Sequence, residues 1–263
     1  MLLEDKNAVI YGAGGAIGAA VARAFAREGA TLFLTGRNQA KVESVAGNIR
    51  AAGGRAEAVE VDALDEQAID RHLSAVTAKA GAIDISFNAV GIPNTTLQGV
   101  PLVDLAADQF SLPIATYTRS NFLTARLAAR RMVVQRSGVI LTVTPVVSRA
   151  GIPLVGGFAL AMGAVEVLTR NLSAELAPHG VRIVGLRADA MPETGTIKEV
   201  FGIHAKAWGI THEQFSEIIA SKNHRRRLMT LGELANVAVF MASDKSSAMT
   251  GTVVNLSMGM LDD

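Results

Sequence analysis

Short apolar runs alternate with longer, helix-length segments along the whole chain. The runs are rich in Val, Ile and Leu without strict polar alternation, which is typical of strands buried on both faces of a parallel sheet. They occupy residues 8–11, 31–35, 58–61, 83–87, 139–143, 182–186 and 252–256. Helical periodicity marks the segments 17–27, 39–51, 65–80 and 163–175. The alternation predicts a single doubly wound α/β domain with a mostly parallel seven-stranded sheet.

One region, residues 191–227, breaks this rhythm and is too long for an ordinary connection. It contains Trp208, His204, His212 and a basic run that ends at Arg227. Two interpretations are open, a lid over a ligand site or a surface excursion, and we favour the lid because such insertions tend to lie beside ligands. The histidines have no acidic cluster at metal-ligand spacing, so we expect no metal.

A glycine-rich turn follows the first predicted strand and opens the first helix. Glycines at such a turn allow a tight bend and a close approach of backbone N–H groups to a pyrophosphate, and the helix N-terminus favours negative charge. The alternative is a turn that binds nothing. The candidate cofactor-binding residues of this turn are Gly12, Gly14, Gly15, Ala16, Ile17 and Gly18.

The end of the second strand bears on the choice of nucleotide. Enzymes that use NAD usually place a carboxylate there to hold the ribose hydroxyls. This chain has Gly36, then Arg37 and Asn38, and a guanidinium suits the 2′-phosphate of NADP. We therefore expect NADP(H) rather than NAD(H), although a solvated surface arginine is the alternative. Asp62, after the third strand, is placed to meet an adenine amine.

Composition adds mainly exclusions. The 263 residues are 49% hydrophobic and 19% charged with net charge +1, which gives no support to nucleic acid or an anionic membrane as partner. The absence of cysteine rules out disulfides and thiolate catalysis and fits a reducing compartment. No targeting signal or membrane-length apolar stretch is visible, so we expect a cytoplasmic protein.

Several motifs in order resemble the short-chain dehydrogenase/reductase family, in its compact single-domain branch. They are 61–63, 88–91, 168–182, 234–244 and Thr250-Gly251, and the match covers nearly the whole chain. The resemblance implies a nucleotide-dependent oxidoreductase that is a homodimer or homotetramer, with Ala63, Asn88 and Gly91 at the cofactor. One departure is Ala16, which stands where the compact branch has its middle glycine.

The same resemblance locates the residues that normally transfer protons in this family, an asparagine, a serine, a tyrosine and a lysine. A gapless alignment puts Pro145 at the serine position, Phe158 at the tyrosine position and Met162 at the lysine position. Tyr117 falls at the asparagine position, with Asn121 one turn later as the competing assignment. All four usual residues are therefore replaced.

Three functions remain open at this point. In the first, a rearranged NADP-dependent reductase uses Tyr117 as its acid, with hydroxyls from Thr144 or Ser148 in place of the lost serine. In the second, the chain is a catalytically silent nucleotide sensor or structural partner in an oligomer. In the third, the pocket performs non-redox chemistry such as cyclisation, dehydration or isomerisation on an oily substrate. Arg149 and Arg187 are candidates for binding an anionic substrate.

Overall fold

A seven-stranded, all-parallel sheet forms the centre of the computed structural model, which describes residues 1–262. The spatial order is β3-β2-β1-β4-β5-β6-β7. Strands β2 and β3 are added on one side of β1 and strands β4 to β7 on the other, so the strand order switches between β1 and β4. The strands are β1 (Asn7–Tyr11), β2 (Thr31–Gly36), β3 (Arg55–Glu60), β4 (Ile85–Asn88), β5 (Gly138–Pro145), β6 (Val181–Ala188) and β7 (Val253–Leu256).

Helices cover both faces of the sheet. They are α1 (Ala16–Arg27), α2 (Gln39–Ala51), α3 (Glu66–Ala80), α4 (Ala107–Gln135), α5 (Phe158–Leu176), α6 (Gly195–Trp208), α7 (His212–Lys222) and α8 (Leu231–Ala242). In the described part of the chain, 1–262, no helix has the length and apolarity needed to cross a membrane.

Two hydrophobic cores lie on the two faces, and β1 contributes to both. Ala8 and Ile10 belong to the core beneath α1, α2 and α8, whereas Val9 and Tyr11 belong to the core beneath α3 and α4. Successive side chains of a strand point to opposite faces, so a strand buried on both sides must be apolar at every position. This confirms the doubly wound parallel sheet that the unbroken apolar runs predict.

The seven predicted strands and four predicted helices are all present, and two of them begin three or more residues earlier than predicted. β3 begins at Arg55 rather than at 58, because it is an edge strand in which the polar Arg55 and Glu57 flank the buried Ala56 and interrupt the apolar run. α5 begins at Phe158 rather than at 163. Gly163 was taken as the helix start, but it lies inside the helix in a position where a Cβ would make only ordinary contact.

The segment 191–227 folds into α6 and α7 and a small apolar core of its own. Phe201 and Ala205 of α6 pack against Phe215 and Ile219 of α7. Trp208 is 40% exposed and meets Phe215 edge-on, with ring centroids 5.3 Å apart. The segment therefore has regular structure, and its packed helices stand beside the cavity described next.

Candidate active site

A cavity of about 580 Å³ opens at the carboxyl edge of the sheet, where the strand order switches between β1 and β4. Its wall is built from residues that follow β1, β2, β4, β5 and β6, and from α6 and α7 on the far side. Parallel α/β sheets bind ligands in this crevice because the strand order diverges there. The cavity is mostly apolar, so each polar group on its wall is informative.

The glycine turn after β1 is held tightly against its neighbours. Gly12 has φ of +72°, and a Cβ there would lie 2.6 Å from the carbonyl oxygen of Ala89. A Cβ on Gly18 would lie 2.5 Å from the carbonyl oxygen of Gly12, so helix α1 packs directly on the turn. Gly15 is the N-cap of α1, and the first turn carries no acidic residue. The first amides of a helix have no intrahelical partner, so this turn fits a phosphate.

Two cations stand at the β2 end of the cavity. Arg37 and Lys41 are both exposed and both on its wall. Asn38 also lines the cavity, but its side-chain oxygen accepts the Lys41 backbone N–H at 3.0 Å and so caps α2. Lys41 was not among the residues predicted from the sequence. A second basic residue four positions after Arg37 could have indicated it.

Of the other residues predicted to contact the nucleotide, some line the cavity and some do not. Ala63 lines the cavity, whereas Asp62 is not on its wall, and its carboxylate accepts the Leu64 backbone N–H at 2.9 Å. Asn88 is buried and also off the wall, where its side chain donates to Thr124 at 3.0 Å and accepts from the Val90 N–H at 2.9 Å. These bonds brace the loop after β4. Direct nucleotide contact by Asp62 and Asn88 stays a prediction.

Four residues at the middle of the cavity occupy the positions where the sequence resemblance expects proton-transfer groups. Tyr117, Pro145, Phe158 and Met162 all lie on the wall. Tyr117 and Met162 belong to one buried cluster, against which Phe158 packs. The rings of Tyr117 and Phe158 meet edge-on, with centroids 5.4 Å apart. The structure thus brings together all four residues that the alignment singled out.

Tyr117 supplies the phenolic oxygen of this cluster. Its Oη accepts the backbone N–H of Ile92 at 3.2 Å, so the phenol proton remains available to a ligand. Burial raises the pKa of Tyr117 despite that hydrogen bond. The competing residue Asn121 is off the cavity wall, and its amide donates to the Tyr117 carbonyl oxygen at 3.0 Å. The geometry therefore favours Tyr117 over Asn121 at this position.

Gly157 explains how α4 and α5 come close enough for this contact. It precedes Phe158, and a Cβ on it would lie 1.9 Å from the carbonyl oxygen of Phe110 in α4. Only glycine allows the backbone of one helix to approach the other so closely. The start of α5 is thereby fixed against α4, and Phe158 at that start packs against Tyr117.

A buried ion pair lies one turn beyond Met162, and the sequence reasoning missed it. Glu166 and Arg187 are 2% and 1% exposed. Arg187 donates from Nε to Oε1 at 2.8 Å and from a terminal nitrogen to Oε2 at 2.9 Å. Burial alone would raise the pKa of Glu166, but hydrogen bonds from Arg187, Ser148 and Thr144 hold it below its usual range. Such a fork is the strong geometry for a guanidinium and a carboxylate.

This ion pair changes the roles that the sequence suggested for its neighbours. The hydroxyls of Thr144 and Ser148 both donate to Glu166, Thr144 at 3.0 Å, so their protons are directed to the carboxylate and not to the cavity. Arg187 is buried beside Glu166 and is not on the cavity wall, and Arg149 is not on it either. The buried Arg187 is thus not placed to receive an anionic substrate, whereas a role for the exposed Arg149 stays a prediction.

Asp189 contributes the one carboxyl on the cavity wall among residues 1–262. It follows β6, and its neighbour Ala188 pairs with Pro145 across the sheet. Its Oδ2 accepts the side-chain N–H of Asn223 at 2.6 Å. Burial raises the pKa of Asp189, against the hydrogen bonds from Ala190 and Asn223. Asp189 is therefore a titratable group on the cavity wall whose ionised form is disfavoured by burial.

Comparisons with known proteins agree over almost the full chain. A family model described as Enoyl-(Acyl carrier protein) reductase matches residues 12–261. The Uncharacterized oxidoreductase YxbG of Bacillus subtilis is 31% identical over 259 residues, which are 98% of this chain and 92% of that protein. A crystal structure of NAD+-bound xylitol dehydrogenase matches with a TM-score of 0.90 at 25% identity, covering 97% of this chain and 98% of that one. A short-chain type dehydrogenase/reductase from Mycobacterium marinum has a TM-score of 0.84 at 26% identity, with 99% and 97% covered.

Proposed function

Because the chain belongs to the short-chain dehydrogenase/reductase family, we propose that it is an NADP(H)-dependent carbonyl reductase with a rearranged active site in which Tyr117 donates the proton. The observation that carries the proposal is the position of Tyr117, which lines the cavity and whose Oη accepts a backbone N–H. The whole chain acts as one nucleotide-binding domain, and 191–227 is its lid.

The nucleotide half of the proposal rests on the glycine turn and the two cations. The tight approach at Gly12 and the open N-terminus of α1 suit a pyrophosphate. Arg37 and Lys41 suit the 2′-phosphate of NADP, and no carboxylate of the described chain lines that end of the cavity to select NAD. When bound, the nicotinamide supplies or accepts the hydride.

The proton half rests on the state of the Tyr117 phenol. A free phenol has a pKa of about 10, and burial raises the pKa of Tyr117 further. The hydroxyl is therefore protonated throughout the physiological range. Met162 offers no ammonium nearby to lower that pKa. Tyr117 can then give a proton to a carbonyl oxygen but is a poor base, so the site is suited to reduction and not to oxidation.

A catalytically silent nucleotide sensor is the second candidate. It is favoured by the apolar wall that Pro145, Phe158 and Met162 provide. The hydroxyls of Thr144 and Ser148 also favour it, because they donate their hydrogen bonds to Glu166 and not to a ligand. In that case the glycine turn and Arg37 would serve binding alone. Turnover in the assay described next separates the two candidates.

Calorimetry with NADP(H) and NAD(H), followed by a turnover assay with a ketone panel, tests the proposal. We expect NADPH to bind more tightly than NADH, and nicotinamide absorbance to fall when a suitable ketone is added. Binding without any turnover across a broad panel would favour the sensor. Failure of both nucleotides to bind would overturn the proposal.

The exposed faces of α4 and α5 support a homodimer or homotetramer as the working form. Phe122 on α4 and Leu160 and Val167 on α5 are large apolar side chains that are 42%, 53% and 47% exposed. Exposed apolar side chains that share a surface indicate an interface when they lie close together. A cytoplasmic location completes the proposal, since the chain has no cysteine.

A further inference from the structure

The far end of the cavity, away from the glycine turn, has no cationic side chain on its wall among residues 1–262. The cationic side chains that line the cavity are Arg37 and Lys41 among residues 1–262, and both stand at the β2 end. Burial raises the pKa of the Asp189 carboxyl, and an ionised Asp189 would repel an anionic ligand. Apolar side chains of the lid, including Phe201 and Phe215, make up much of the remaining wall. A carboxylate or phosphate on a ligand would find no counter-charge there.

Polar groups at this end form one hydrogen-bonded chain that starts next to Tyr117. The Ile92 carbonyl oxygen accepts the Asn94 side-chain N–H at 3.3 Å, and Asn94 Oδ1 accepts the Gln98 side-chain N–H at 2.9 Å. Gln98 Oε1 in turn lies 3.2 Å from Nε2 of His204. Ile92 also donates its N–H to Tyr117, so the chain runs from the phenol to the lid helix α6.

The direction of this chain fixes the tautomer of His204. A carbonyl oxygen can only accept, so the Ile92 oxygen orients the amide of Asn94, which orients the amide of Gln98. The Gln98 oxygen then faces His204, and Nε2 must be the nitrogen that carries the proton. Nδ1 is left with a lone pair, and it is buried with no hydrogen-bond partner in the described structure. Burial also lowers the pKa of His204, which keeps the ring neutral.

From the absence of cations at this end and this orphaned acceptor, we propose that the cavity selects a non-anionic, mainly apolar carbonyl substrate that carries a hydroxyl or N–H group remote from its carbonyl. The remote donor binds Nδ1 of His204, while the carbonyl lies at Tyr117. His204 is 2% exposed and belongs to the residues that line the cavity, so a ligand reaches the buried Nδ1 only when the side chains around it give way. A buried acceptor without a partner is unfavourable, and a ligand donor supplies the missing bond.

Three matched ketones test the selection: acetophenone, para-hydroxyacetophenone and para-acetylbenzoate. They share one ring and one carbonyl and differ only in the remote group. Binding is measured without any turnover by ligand-detected NMR titrations, at a pH below the pKa of the hydroxyl group of para-hydroxyacetophenone. We expect the hydroxyl compound to bind about threefold to tenfold more tightly than acetophenone, as one hydrogen bond allows. The carboxylate should bind at least about tenfold more weakly than acetophenone.

Two variants at position 204 separate the hydrogen bond from packing. His204→Gln keeps an N–H toward Gln98 but has no acceptor at the Nδ1 position. His204→Phe keeps the ring that stacks on Phe215, with centroids 5.6 Å apart in the wild type, and removes both nitrogens. In both variants the advantage of the hydroxyl compound should vanish, while the affinity for acetophenone stays within about twofold. Melting curves confirm that each variant is folded.

Three results would overturn the selection: tighter binding of para-acetylbenzoate than of acetophenone, a hydroxyl advantage that survives in both variants, or no binding of any of the three ketones at millimolar concentration. The inference rests on the proposed function, because it places the carbonyl at Tyr117. Nucleotide binding is therefore measured on the same samples. Failure of the ketone series with NADPH binding intact rejects this inference alone, and the opposite result rejects the proposed cofactor alone.

Discussion

The ring of Tyr117 on α4 packs edge-on against the ring of Phe158 on α5, with centroids 5.4 Å apart. In the alignment with the family, Tyr117 stands at the position of the asparagine and Phe158 at the position of the tyrosine, so the two positions are in direct contact. The cluster therefore holds a phenol on α4, opposite the phenyl ring on α5. The phenol oxygen is held by the Ile92 backbone N–H, which fixes the ring in the cavity. In the same cluster Met162 and Ala161 are apolar and buried, and Ile92 and Ile114 pack against them.

The close approach of α4 and α5 depends on Gly157, and Gly157→Ala should disrupt it. The new Cβ would lie 1.9 Å from a backbone oxygen, so one of the helices must move. We expect a loss of about 2 kcal/mol or more in the free energy of unfolding, measured by urea denaturation. Gly163→Ala is the matched control, because its Cβ would lie 3.7 Å from its nearest contact. That variant should gain up to about 1 kcal/mol from improved helix propensity. Equal effects of the two substitutions would refute the role given to Gly157.

Removal of the guanidinium from the buried ion pair should be costly at neutral pH. Arg187→Met leaves Glu166 buried and charged, and we expect a loss of about 3–5 kcal/mol in the free energy of unfolding at pH 7. Lys79→Met is the control, since its ion pair with Glu57 is largely exposed and should be worth less than about 1 kcal/mol.

The pH dependence of the same variant follows from the lowered pKa of Glu166. A carboxyl whose pKa is lowered by folding stabilises the native state above the pKa of the unfolded chain, which is about 4.3. This stabilisation is lost in the wild type as the pH falls through the lower, folded value. In the variant, burial without Arg187 favours the protonated carboxyl, so the difference between wild type and Arg187→Met should shrink steadily as the pH falls from 7 to 3. A difference that stays constant from pH 7 to pH 3 would show that the charge of Glu166 is not responsible.

Cofactor selectivity should depend on Arg37. Arg37→Ser removes a charged donor for the 2′-phosphate, which is worth about 1.5–3 kcal/mol, or roughly a tenfold to 150-fold weakening of NADPH binding. Binding of NADH should change little in the same calorimetric titrations. Arg23→Ser, on the exposed side of α1, removes the same charge away from the cavity and should leave both affinities unaltered. Parallel loss of NADPH and NADH binding in Arg37→Ser would argue against recognition of the 2′-phosphate.

The proposed oligomer should be sensitive to charge on the exposed face of α5. Val167→Glu adds a carboxylate to a side chain that is 47% exposed, so the isolated chain should tolerate it. An interface that buries this residue would not, because an unpaired charge is costly to desolvate. Sedimentation velocity should show an oligomer for the wild type and a smaller species for the variant. A monomeric wild type would reject the oligomer.

Much of the fold follows from local pattern in this chain. Strands buried on both faces are apolar at every position, and glycines mark the turn after β1, so the order of elements and the first turn were predictable. The family model and the related structures confirm the family that the motifs indicate. The alignment also identified Tyr117, Pro145, Phe158 and Met162, which meet in the cavity.

What the sequence could not reveal depends on contacts between distant residues. Glu166 and Arg187 come from different elements, and nothing local marks either as buried. The hydroxyls of Thr144 and Ser148 were expected to face the cavity, but the direction of a hydroxyl follows from the acceptor it meets. The tautomer of His204 likewise depends on the amides of Asn94 and Gln98, which precede it by about a hundred residues or more.

The comparison of Tyr117→Phe with Tyr11→Phe tests the central claim most directly. The chain has two tyrosines, and the hydroxyl of Tyr11 is buried off the cavity wall without a hydrogen-bond partner in the described structure. NADPH-dependent ketone reduction is measured in both variants, with NADPH affinity measured alongside. We predict that Tyr117→Phe lowers kcat by about 100- to 10,000-fold, as loss of a general acid does, while NADPH affinity and the activity of Tyr11→Phe stay at the wild-type level. Full activity in Tyr117→Phe would contradict the account, because the proton would then come from another group.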